Sequence, residues 1–124
     1  MAAAAQNLIL LTAMLHVGFM VLEMVFWTRP AGMAIFRLTP EFANASRALA
    51  ANQGLYNGFL AAGLFWGIWL VATGAGEPGF EVEVFFLACA ALAGLFGALT
   101  VSVRILLVQA LPALAALSLL WVAG

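Results

Sequence analysis

The sequence predicts an all-α polytopic membrane protein, an antiparallel bundle of four transmembrane helices forming one domain over residues 1–124. Three observations predict it. Apolar residues make up 67% of the chain and mean hydropathy is +1.17. Charged residues make up 7%, where a soluble domain carries roughly a quarter. Finally, breakers divide the chain into four apolar runs, each near the ~20 residues that one crossing requires. The net charge of −1, with four basic residues in all, forms no basic patch and argues against a nucleic-acid partner. The single cysteine, Cys89, lies in an apolar run, which excludes an intrachain disulfide and a cysteine-only metal site and reads as a small buried residue. With one histidine and one cysteine far apart, no metal site is expected.

The first predicted helix covers residues 6–27. It has no basic leader and an apolar run long enough to span, so it reads as a retained helix rather than a cleaved signal. Thr12, His16, Phe19, Met20 and Glu23 share one side of it. His16 and Glu23 stand seven residues apart, about 10 Å along the axis; one ligand or one neighbouring helix can touch both. Trp27 reads as an interface anchor.

Residues 28–51 form the longest connection, with Arg29, Arg37 and Arg47 against Glu41. Residues 29–32 read as a break in an ordered loop. Thr39, Pro40 and Glu41 read as a helix start, with a capping hydroxyl, proline in the first turn and an acid at the positive end. That helix has no evident stop before the second crossing. Met33, Ile35, Phe36 and Phe42 suit the membrane interface.

The second helix covers residues 52–73 and opens on Asn52, Gln53, Tyr56 and Asn57, with small residues Gly54, Gly58 and Ala62 four apart. Small residues at that spacing let backbones approach. A turn is expected over residues 73–79, with Glu77, Glu81 and Glu83 solvated beside it. The third helix covers residues 82–102, where Ala90, Gly94 and Ala98 are four apart. A tight turn then leads to a fourth helix over residues 105–123, with Arg104 and Gln109 at its start and Pro112 kinking it.

All four arginines fall in the first and third connections. Basic residues favour the cytoplasmic side, so these connections are expected inside and both termini outside, in a bacterial inner membrane. His16, Glu23, Asn52, Gln53, Tyr56, Asn57, Arg104 and Gln109 are the candidate ligand-binding residues. All but His16 gather toward the cytoplasmic end and leave the outer half nearly bare. Hydrocarbon supplies no partners for such groups, so they require protein partners or water. Three functions compete: amides and an ion pair of Glu23 with Arg104, direct or through Gln53 or Asn57, acting as glue between helices; a pocket for a small amphipathic molecule; and an ion or proton path through Glu23 and His16. The small-residue faces also suit a homo-oligomer, unless one chain uses them up.

Three stretches carry a resemblance: Glu23, Met24, Trp27, Thr28, Arg29 and Pro30; residues 49–63, centred on Asn52, Gln53, Gly54, Leu55, Tyr56, Asn57 and Gly58; and Gly97 to Ser102 followed by Ile105 to Gln109. Together they resemble the small bacterial membrane proteins catalogued as domain of unknown function 1304, which implies a four-helix integral membrane protein and no established activity. More distantly, the topology is similar to the membrane-associated proteins of eicosanoid and glutathione metabolism, which assemble as trimers. Asn52 and Tyr56 match the Asn and Tyr of that group's second-helix motif, and Arg104 stands where an arginine activates the thiol. Leu55 replaces the motif's glutamate. The likeness implies a glutathione- or thiol-dependent transferase acting on a lipophilic substrate as an alternative function.

Overall fold

The structure, a computed structural model, describes residues 1–123. The protein is an all-α four-helix membrane bundle, and the described residues contain four long helices and two short ones. Helix α1 (Ala2–Val21) continues through a π-helical turn, Leu22–Phe26; α2 is Pro30–Phe36, α3 is Pro40–Ala45, α4 is Arg47–Ala72 and α5 is Gly76–Thr100. A second π turn, Leu106–Ala110, leads into α6, Leu111–Ala123. Ala2–Phe26, Arg47–Ala72, Gly76–Thr100 and Leu106–Ala123 are each long and apolar enough to cross a membrane.

The boundaries differ from expectation where proline is involved. Pro30 and Pro40 start short helices because proline's missing N–H is no loss in a first turn. The stretch read as a break therefore holds the start of α2, and two helices occupy the expected loop. Pro78 likewise sits in the first turn of α5, which begins at Gly76 and takes in most of the predicted turn. The real turn is Thr73 to Ala75: Gly74 adopts φ +92° and the Ala75 N–H reaches back to the Leu70 carbonyl at 2.9 Å, a left-handed helix ending. The helix begun at Pro40 stops at Ser46, whose hydroxyl donates to the Phe42 carbonyl at 2.6 Å. In the fourth span, Pro112 cannot donate to the carbonyl four residues back. Just before it, the Leu111 N–H bonds to the Leu106 carbonyl, the five-residue spacing of a π turn.

The chain packs as two compact units, Met1–Leu15 with Leu60–Gly124, and His16–Phe59. The first unit has a core of small and aliphatic side chains, including Ala5, Ile9, Ala13, Leu64, Leu87, Ala90 and Ala116. Lipid tails are as apolar as leucine, so such a core is held by close packing rather than by transfer from water. Gly94 shows how close: a Cβ there would lie 2.6 Å from the Ala110 backbone nitrogen. Outside this core, Phe85, Leu92, Phe96 and Leu99 are exposed, a surface that suits hydrocarbon. Cys89 is half-buried.

The second unit joins the end of α1, both short helices and the start of α4. The Trp27 indole N–H donates to the Ser46 hydroxyl at 3.0 Å, and its ring lies 4.9 Å from that of Phe36. Trp27 thus holds the connection against the end of its own helix. Gly32 is buried against the Phe26 carbonyl, where any side chain would collide.

Gly94→Val is expected to destabilise the fold by about 1–3 kcal/mol through overpacking, read as a lower thermal midpoint in mild detergent. Gly18→Ala, where the added methyl meets open space, leaves the midpoint unchanged or slightly raised.

Candidate functional site

In the second unit the sequence places a carboxylate and an amide at matching positions on two helices. Glu23 lies within the π turn that ends α1, and Asn57 lies in α4. The Asn57 Nδ2 donates to Glu23 Oε2 at 2.8 Å. Asn57 is 5% exposed and Glu23 is half-buried. The helices meet closely because α4 presents glycines to α1. A Cβ at Gly54 would lie 2.7 Å from the Met24 Cγ, and one at Gly58 would lie 2.7 Å from the Met20 sulfur. A larger residue at Gly54 would crowd the Glu23 Cβ and the Met20 carbonyl, at 3.0 and 3.1 Å, as well as the Met24 side chain. A π turn widens a helix by one residue, and such turns recur at functional sites.

Among the other candidates, His16 is fully buried, with its ring edge-on to Phe19 at 5.6 Å. Tyr56 is exposed and its ring stands 6.0 Å from Phe59, also exposed. Asn52 and Gln53 are exposed on the first turns of α4. Leu55, at the place of the glutathione motif's glutamate, is 42% exposed. Arg104 and Gln109 belong to the other unit. Arg104 is exposed, and its backbone N–H donates to the Ser102 hydroxyl at 3.3 Å. The structure therefore joins Glu23 to Asn57, an amide, among the residues singled out in the sequence.

One expectation fails outright. Glu83, read as solvated beside a turn, is 1% exposed. Both of its carboxylate oxygens accept from the Gln6 Nε2, at 3.0 Å each. Its side chain fits a notch left by Gly67, where a Cβ would lie 2.6 Å from the Glu83 Cγ. The half of the membrane layer that the sequence left nearly bare thus holds a buried carboxylate and its donor. The misplacement followed from ending the turn at Gly79 when α5 begins at Gly76. A signal was present: Glu83 shares a helical face with Leu87, Ala90 and Gly94, all buried, and Gln6 shares one with Ile9 and Ala13.

Both carboxylates are thus served by neutral amides. A double-mutant cycle of Glu23→Gln and Asn57→Ala on thermal stability is expected to show coupling of about 0.6–1.7 kcal/mol, the range for hydrogen bonds between membrane helices. At the other pair, Gln6→Leu alone leaves Glu83 buried without its donor and costs about 1–3 kcal/mol. Combining it with Glu83→Leu recovers most of that loss, because replacing both polar partners removes the unsatisfied group.

Neither a curated protein nor a solved structure matches the chain significantly. A family model does, over residues 10–121, which is nearly the full length. The chain belongs to the family described as protein of unknown function (DUF1304).

Proposed function

We propose that this multi-pass membrane protein binds a small amphipathic molecule at the Glu23–Asn57 pair. The observation that carries the reading is a half-buried glutamate inside a membrane-spanning helix, on a π turn, whose carboxylate accepts from a buried amide. Hydrogen bonding inside hydrocarbon is costly to leave unmet, so a half-buried carboxylate favours a ligand with a polar head that can donate to it. Met20 and Met24, which lie against α4 at Gly58 and Gly54 beside the pair, offer apolar surface to the ligand's tail. In this reading the arginine-bearing connections lie on the cytoplasmic side of a bacterial inner membrane and both termini lie outside.

The test is native mass spectrometry of the protein released from mild detergent, with and without a panel of cationic, anionic and neutral amphiphiles. The expected result is a retained molecule whose affinity falls about ten- to hundredfold in Glu23→Gln, the value of a hydrogen bond to a charged group, and falls also in Asn57→Ala. No retained molecule in the wild type, or equal retention in Glu23→Gln, overturns the reading.

A second reading draws on His16, buried seven residues from Glu23 on the same helix and in the same packing unit. An imidazole and a carboxylate so placed suit proton-coupled transport. That reading expects pH-driven flux in proteoliposomes, abolished by both Glu23→Gln and His16→Ala; flux that survives either substitution removes it.

A further inference from the structure

We propose that the connection between the first two long helices is an interfacial foot that binds anionic phospholipid headgroups through Arg29, Arg37 and Arg47. This rests on the second unit alone and is independent of any ligand at Glu23. Three arginines stand against one acid, Glu41, over residues 28–51. All three are exposed, and among and just after them Ile35, Phe42 and Leu49 are exposed at 52%, 55% and 74%. A water-facing loop has no use for that apolar surface, and a soluble anion has no use for it either. A bilayer surface uses both, taking the apolar side chains among its acyl chains and the guanidinium groups among its phosphates.

The foot is rigid enough to present them. The Trp27 to Ser46 hydrogen bond and the Trp27 to Phe36 ring contact pin both short helices to the end of α1, and the buried Gly32 brings α2 onto the Phe26 carbonyl. The Arg29 guanidinium lies over the Phe26 ring, 5.4 Å from its centre, which keeps it at the level where the first span ends.

Arg37 supplies the more telling observation. It closes α2 in the left-handed conformation, φ 55° and ψ 48°, with its backbone N–H bonded to the Met33 carbonyl. It is the one described residue other than glycine with positive φ. Glycine fills this position in most helix endings because a Cβ is strained there. The chain carries an arginine instead, and its side chain is exposed at the end of α2. Guanidinium matches phosphate geometry with paired donors.

The experiment compares retention of phosphatidylglycerol and phosphatidylcholine, supplied in equal amounts, by native mass spectrometry from mild detergent, with thermal midpoints measured in both lipids. The wild type is expected to retain phosphatidylglycerol in excess, with the excess falling as salt rises. Each arginine is expected to contribute about fivefold, so Arg29→Gln, Arg37→Gln and Arg47→Gln together abolish the preference. Arg37→Gly separates binding from folding: its midpoint in phosphatidylcholine equals or exceeds the wild type, while its phosphatidylglycerol preference drops about fivefold. Equal retention of the two lipids by the wild type overturns the proposal, as does an unchanged preference in Arg37→Gly. Inorganic phosphate that stabilises the protein as well as phosphatidylglycerol does would identify a soluble anion as the occupant and overturn the lipid assignment.

Discussion

A carboxylate buried in a membrane layer must bring its own hydrogen-bond donor, because hydrocarbon has none to offer. Two glutamates in this chain face that requirement and meet it the same way. Glu23 takes the Asn57 amide, and Glu83 takes the Gln6 amide with both oxygens. Each bond ties the first helix to another span, to α4 in one unit and to α5 in the other. The amide donor matters as much as the carboxylate.

Backbone proximity makes these bonds possible. Gly54 and Gly58 let Met20, Met24 and Glu23 lie against α4, and Gly67 leaves the notch that Glu83 fills. Gly54, Gly58 and Gly67 are thus each faced by side chains of the same chain. Proline plays the complementary part. It opens the short helices at residues 30 and 40, enters α5 at residue 78, and at residue 112 stands just after the π turn of the fourth span.

The two glutamates differ in ways that bear on function. Glu83 is closed off, and every observation about it fits a fastener between helices. Glu23 is half-buried and sits on a π turn, beside a foot that carries three of the four arginines. A polar group that is only half-buried is the arrangement that can serve a ligand, and it lies in the same packing unit as the surface suited to lipid headgroups.

Composition and breaker spacing were enough to determine four crossings, since a run of about 20 apolar residues between turns has few other uses. The stretch from Asn52 to Gly58 was legible as the opening of the second crossing, because amides are expensive there. Glu23 and Asn57 were legible as members of one polar cluster, but their pairing was not. Helical period places a side chain on a face and says nothing about which neighbour that face meets. Glu83 was misplaced for a related reason: three glycines and a proline read as an extended turn, and only the folded chain shows the proline tucked into a first helical turn and the carboxylate buried behind it. The left-handed Arg37 was likewise invisible, since an arginine carries no sequence signal for a conformation that glycine normally takes. Local chemistry determined how many long helices there are and roughly where they lie in the chain. Which side chain meets which depends on backbones approaching within a few ångströms, and only tertiary packing decides that.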